Sequence, residues 1–200
     1  MEHQKILELA ANVLDAEQRA LVSLAGQLGP SLAQAVDLML HCPGHVIVSG
    51  SGTSHAVGLR FAHLLSCVGT PAFFLHPGDS QHGAAGAVRA GDVWIGISKG
   101  GETAEVCYLA GVAKKRGAKI IAITEKSDST LAKLANLTLE AKAPEGVDPF
   151  GMVATGSSLF NAALCDVICV ALLQLRGYTL EQFGETHPGG AVGQKLKGIF

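Results

Sequence analysis

From residue 46 onward the chain alternates between short apolar runs and segments long enough for helices, and this alternation constrains the fold more than any other feature. The runs are Val46-Ile47-Val48, Ala72-Phe73-Phe74-Leu75, Val93-Trp94-Ile95-Gly96-Ile97, Ile120-Ile121-Ala122-Ile123 and the weaker Leu137-Thr138-Leu139. Unbroken apolarity suits strands covered on both faces, whereas a half-exposed strand would alternate with polar residues. Residues 54–67, 102–116 and 129–135 have helical length, and a long helix over 155–176 follows the last run. With right-handed crossovers, this pattern predicts an α/β fold, a three-layer α/β/α sandwich on a five-stranded parallel sheet.

Two helices lead into this region. Over residues 6–28 the leucines Leu7, Leu14, Leu21 and Leu28 form a heptad-like stripe, with Leu24 beside it, closed by Gly29-Pro30. A second helix over 32–40 stops at Cys42-Pro43-Gly44. Residues 1–43 therefore read as an N-terminal helical arm and 44–200 as the main unit, within one structural domain. The stripe has two possible destinations, the domain's own sheet or a neighbouring subunit.

Composition excludes several classes of function. The 200 residues are 48% hydrophobic and 16% charged, a globular balance. A net charge of −2 and a pI near 6.4 leave no basic face for nucleic acid. Gly is plentiful at 25 residues, which points to loops where side chains would obstruct. Cys42, Cys67, Cys107, Cys165 and Cys169 form no C-x-x-C pair, so they read as reduced, buried thiols. The N-terminus shows no signal-peptide core, and Asn161, Asp166 and Gln174 interrupt the most apolar stretch. That stretch reads as too short and too polar to span a bilayer. The expectation is a soluble, cytoplasmic protein with no membrane partner.

In open parallel sheets, ligands sit beyond the carboxyl ends of the strands, where the strand order reverses. Here those ends read Ser49-Gly50-Ser51-Gly52-Thr53-Ser54, then His76-Pro77-Gly78 leading to Gln81-His82-Gly83, then Ser98-Lys99-Gly100-Gly101-Glu102-Thr103, then Thr124-Glu125-Lys126-Ser127. Small and hydroxyl residues where chain enters helix make anion sites, and two such loops can converge on one phosphate. The plainer reading makes Ser54 and Thr103 ordinary helix caps. His55 stands where a dinucleotide fingerprint needs its third glycine, and there is no P-loop string. His76 and His82 lack a ligand set with metal-site spacing, so no metal and no cofactor are expected. Gly96-Ile97-Ser98-Lys99-Gly100 formally matches a G-x-S-x-G nucleophile elbow, with Asp128, Asp148 or Asp166 and then His187 as partners.

Together, Ser49 to Ser54, the His76-Pro77-Gly78 and His82-Gly83 segment, Ile97 to Glu105, and Thr186-His187-Pro188-Gly189-Gly190 followed by Ala191-Val192-Gly193 resemble sugar isomerase (SIS) domains. The likeness is to the arabinose-5-phosphate isomerase group and covers residues 46–196. It implies a homotetramer that interconverts an aldose phosphate and a ketose phosphate through an enediol, without a cofactor. By matching position, Glu105 and His187 would be the acid/base pair and His82 a further residue of the catalytic site. Ser51, Gly52, Thr53, Ser54, Gly69, Thr70, Ser98, Lys99, Gly100, Gly101 and Thr103 would touch substrate.

The sequence departs from that pattern in three ways. Thr53 replaces the family's lysine. Gly146 aligns with its second glutamate, although Glu145 stands next to it and could serve after a small loop shift. The paired regulatory (CBS) domains that often follow are absent from this sequence. Lys99 is expected to restore the missing charge from the facing loop, so Lys99→Asn should damage isomerisation far more than stability. Two alternatives stand beside this reading: a 6-phospho-3-hexuloisomerase-like enzyme, and a phosphosugar-binding regulatory module without turnover.

Overall fold

The computed structural model describes residues 2–199. Five parallel strands, β1 (Val46–Gly50), β2 (Ala72–Phe74), β3 (Val93–Ile97), β4 (Lys119–Thr124) and β5 (Leu137–Glu140), lie in the order β2-β1-β3-β4-β5. Each predicted run became a strand. Side chains alternate across a strand, so the apolar runs divide between two cores. Val46, Val48, Ile95, Ile97, Ile121 and Ile123 face one core, whereas Ile47, Trp94, Ile120 and Ala122 face the other.

The first core is covered by α1 (Glu2–Ala25), α2 (Pro30–Leu40), α3 (Thr53–Cys67) and α7 (Gly156–Arg176). The second is covered by α5 (Ala104–Lys115), α6 (Thr130–Leu134) and the segment after β2, where α4 (Pro77–Ser80) precedes a 3-10 turn at Ala84–Ala87. The three layers follow from burying both sheet faces. The chain ends with α8 (Leu180–Thr186) and α9 (Gly190–Lys197).

The leading helices behave differently from one another. Ala35, Val36 and Met39 seat α2 in the first core, but α1 buries only Ala20 and Leu24. Leu7, Leu14, Leu21 and Leu28 all remain exposed. Among the described residues the heptad stripe is left largely exposed within one chain.

Helix α7 corrects an expectation. It runs 21 residues with a mean hydropathy of 1.9 in its most apolar window, long and apolar enough to cross a membrane. Its Phe160, Leu164, Cys165, Ile168, Cys169 and Leu172 nevertheless pack in the first core. Cys165 and Cys169 are buried as expected, but Cys42, Cys67 and Cys107 are only half-buried, and all five are free thiols.

Candidate functional site

The strand order reverses between β1 and β3. Chain leaving β1 crosses to β2 at one edge, and chain leaving β2 returns to β3 on the other side of β1. In open α/β sheets such a reversal sets the ligand crevice beyond the carboxyl ends of the two strands, here β1 and β3. Ser51, Gly52, Thr53 and Ser54 form one wall and lead into α3. Ser98, Lys99, Gly100, Gly101 and Thr103 form the other and lead into α5. The Ser49 hydroxyl donates to the Leu75 carbonyl at 2.8 Å, which holds the end of β2 and the following His76 segment beside the first wall.

Neither helix uses the hydroxyl cap expected of it. The N-cap of α3 is Gly52, at φ +60° and ψ −131°, and Ser54 does not cap the helix. Thr103 occupies the N-cap position of α5, but its hydroxyl pairs with Ser98 Oγ at 3.0 Å instead of a helix amide. Side chains do cap α4, α6 and α8, through His76, Ser129 and Thr179. At the two walls, first-turn amides stay available for an anion.

The wall after β3 is held from below. Lys99 carbonyl accepts from Glu125 N–H at 2.9 Å and from the Thr124 hydroxyl at 3.1 Å. Gly101 carbonyl accepts from Leu131 N–H at 3.0 Å. The Glu102 carboxylate takes the Thr130 N–H at 2.8 Å and the Thr130 hydroxyl at 2.6 Å, which lowers its pKa. Gly101 sits at φ +67°, where an added β-carbon would run into Ser129. Glycine there is a requirement of the protein's own packing. At Gly100 a β-carbon meets open space, so that position can face a ligand.

Lys99 turns toward the α7 layer. Its Nζ lies 2.8 Å from Asp148 Oδ2, and Asp148 also accepts from Ser157 N–H at 2.9 Å and Ser157 Oγ at 2.6 Å. Burial pushes the Asp148 carboxyl up, but the hydrogen bonds from Lys99 and Ser157 outweigh it and hold it below its ordinary value. The expectation for Lys99→Asn changes accordingly: losing the ammonium would leave a buried carboxylate short of its partner, so stability falls together with activity. Asp148 was visible in the sequence only as a possible acid for a hydrolase triad. Among the described residues that triad has no hydrogen bonds: Ser98 is buried and pairs with Thr103, and His187 Nδ1 meets the Phe183 carbonyl and the Thr186 hydroxyl.

Glu105 stands exposed in the first turn of α5, after β3, and His82 is exposed after α4, on the chain that follows β2. Glu145 is exposed on the loop between β5 and α7, three residues before the anchored Asp148. Gly146, the residue aligned with the family glutamate, has φ +79°, a conformation a glutamate would adopt only under strain.

The remaining residues lie at the opposite, amino end of the strands. Gly69 and Thr70 precede β2, and β2 pairs with the start of β1. Gly69 abuts Tyr178, and the Thr70 hydroxyl accepts from Arg176 Nε at 3.0 Å. Helix α7 begins near Asp148 and ends at Arg176, spanning roughly 30 Å. The chain after α7 thus starts beside Gly69 and Thr70, where Tyr178 packs, and continues into α8 and His187. Gly69 and Thr70 thus lie at the amino end of the sheet and the two loops at its carboxyl end, with α7 running between the two ends.

His187 is nonetheless well ordered by its neighbours. Its ring stacks on Phe183 with centroids 3.8 Å apart, and Nδ1 lies 2.9 Å from the Phe183 carbonyl. A carbonyl only accepts, so Nδ1 donates to it, with the Thr186 hydroxyl also 3.0 Å from Nδ1; Nε2 makes no hydrogen bond among the described residues. The sequence marked His55 only as a break in a dinucleotide fingerprint; its ring stacks on Phe74 at 4.7 Å and meets His76 edge-on at 5.1 Å beside the first wall. Among the described residues, no three His, Cys, Asp or Glu side chains gather as a metal site.

Known proteins resemble this chain in sequence and fold. Arabinose 5-phosphate isomerase KdsD of Pseudomonas aeruginosa is 36% identical over 187 residues, covering 94% of this chain and 57% of that protein. Its Escherichia coli K12 counterpart is 38% identical over 184 residues, covering 92% and 56%. The chain thus spans a little over half the length of these curated relatives. A Listeria monocytogenes candidate sugar-phosphate isomerase superposes with a TM-score of 0.91 at 35% identity, over 94% of this chain and 100% of that one. An E. coli CFT073 protein solved in complex with arabinose 5-phosphate superposes with a TM-score of 0.88 at 29% identity, over 94% and 100%. The SIS domain pattern itself matches residues 39–171, from the end of α2 through most of α7, and so takes in the whole sheet and both walls of the crevice. By strand order, by the paired loops and by this match, the chain belongs to the SIS domain family.

Proposed function

We propose that this protein is an aldose–ketose isomerase of the arabinose-5-phosphate type, acting on a sugar phosphate without a cofactor. The observation that carries this reading is the pair of loops at the β1/β3 reversal, whose helices leave first-turn amides free of side-chain caps. A phosphate dianion suits that pair of positive helix ends. The relatives named arabinose 5-phosphate isomerase, and the structural neighbour that holds that sugar phosphate, point to the same ligand class.

The chemistry needs one base and one group that moves a hydroxyl proton. Glu105 takes the proton from C2 of the aldose and returns it to C1, so an enediol forms and collapses to the ketose. A second group carries the proton between O1 and O2, and the free Nε2 of His187 suits that task. On this reading His187 serves the crevice of another copy of the chain, because α7 runs from its own crevice to the amino end of the sheet. The exposed stripe of Leu7, Leu14 and Leu21 offers a face for such a copy. We therefore read the working form as a homo-oligomer, a tetramer by family resemblance. Five free cysteines suit a reducing, cytoplasmic setting.

The deciding experiment incubates the protein with pentose and hexose phosphates in deuterium oxide and follows solvent deuterium at C1 and C2. Incorporation with arabinose 5-phosphate is expected. Incorporation only with a hexulose phosphate would favour a 6-phospho-3-hexuloisomerase-like activity. Thr53, where the family has lysine, favours a second reading, a phosphosugar sensor without turnover. Binding without incorporation across the panel would establish that reading instead.

A further inference from the structure

Between the two loops 49–54 and 98–103, Lys99 is the single Lys or Arg side chain. It is also the one tied to a buried group. The Asp148 side chain is 2% exposed, while that of Lys99 is 41% exposed. These two residues are 49 positions apart and belong to different layers, Lys99 directly after β3 and Asp148 on the loop that leads into α7.

Three donors converge on Asp148: Ser157 N–H, Ser157 Oγ and Lys99 Nζ. Two of them come from the first turn of α7, whose own N-cap residue Thr155 supplies no side-chain cap. The carboxylate is therefore fixed by a rigid helix before it ever meets the lysine. A lysine side chain otherwise explores many rotamers and presents a charge without a place. Here one of its three N–H donors is spent on Asp148, and the half-exposed ammonium keeps two for solvent or ligand.

We propose that Asp148 is a positioning residue for the reaction: it fixes the Lys99 ammonium at the mouth of the β1–β3 crevice, where that ammonium stabilises the oxyanion developing on the sugar's carbonyl oxygen. The proposal rests on the isomerase reading of the crevice. A preplaced donor is worth most when charge develops in the transition state, because it needs no reorganisation at that moment. The carboxylate also weakens the net positive potential felt by a bound phosphate. The two consequences differ in sign: removing Asp148 slows turnover, yet it leaves ground-state binding of the anion unharmed or tighter.

A double-mutant cycle on the full chain tests this. Lys99→Met, Asp148→Asn and the double variant are assayed for kcat and KM with arabinose 5-phosphate. Each single substitution is expected to lower kcat by about tenfold or more, and Asp148→Asn to leave KM unchanged or lower it. In the Lys99→Met background, Asp148→Asn should change kcat by less than about twofold. An equal loss of kcat with and without Lys99 would mean that Asp148 only caps α7, and the proposal would be wrong. A raised KM with unchanged kcat would overturn it as well. Where Asp148→Asn does not fold, Ser157→Ala loosens the same carboxylate more gently and should lower kcat only when Lys99 is present. No turnover by the parent protein would overturn the isomerase reading and this proposal with it; turnover without coupling overturns the proposal alone.

Discussion

Ser129 fills the space that a β-carbon on Gly101 would need, and Gly101 itself holds a φ of +67°. Ser129 also caps α6 by accepting Ala132 N–H at 3.3 Å, so neither residue has room to retreat. Gly101→Ala should therefore lose about 2–3 kcal/mol of stability from strain and overpacking together. Gly100→Ala, next in the chain but facing open space, should stay within about 0.5 kcal/mol of the parent while weakening sugar phosphate binding. Urea unfolding of the two variants separates packing from ligand contact in adjacent glycines.

At the amino end of the sheet, Arg176 donates to Thr70 Oγ1 at 3.0 Å and to the Met39 carbonyl at 3.0 Å. Thr70 is buried, so its hydroxyl depends on that partner. Arg176→Ala should cost about 2–3 kcal/mol, and Thr70→Val about 1 kcal/mol. A thermal melt that leaves Arg176→Ala at the parent midpoint would show that this junction carries no stability.

The Asp148 carboxyl has a folded pKa below its unfolded one, because the bonds from Lys99 and Ser157 overcome its burial. A depressed pKa contributes stability that is fully present above the unfolded value and is lost as pH falls through the folded one. Stability should hold from neutral pH to about pH 4 and decline below it. Asp148→Asn should be less stable at neutral pH and show a shallower acid decline in urea titrations.

Burial pushes the Cys169 thiol up to about 12 and raises that of Cys165 further. A thiol that stays protonated is a poor nucleophile. Iodoacetamide near about pH 8 should leave both unmodified in the folded protein and alkylate both in denaturant, as read by peptide mass spectrometry. Cys42 and Cys67, which are half-buried, should be labelled first in the folded state.

Glu105→Gln and His187→Asn should each be inactive alone. Refolded together, they should regain part of the parent activity if, as proposed, each site takes Glu105 from one copy and His187 from another. Two inactive variants that stay inactive when mixed would place both groups in one chain's site.

The sheet was legible in the sequence because both of its faces are buried, and burial on both faces leaves unbroken runs such as Val46-Ile47-Val48. The two loops were legible because small residues after a strand have few other uses. Three other features depend on contacts distant in sequence. Thr103 looked like a cap, but Ser98 reaches its hydroxyl across the loop. Lys99 looked free, yet its partner Asp148 is 49 residues away and fixed by α7. Motif matching grouped Glu105 with His187 because it ignores where the chain travels between them. The full span of α7 intervenes between them.

Because α7 crosses the full height of the sheet, the proposed site draws Glu105 from one copy and His187 from another. Protein concentration then becomes a term in the rate law. On that reading, diluting the protein below its assembly constant would extinguish turnover while every chain stayed folded. A substitution on the outward leucines of α1, far from any sugar, would register in a kinetic assay as a catalytic lesion.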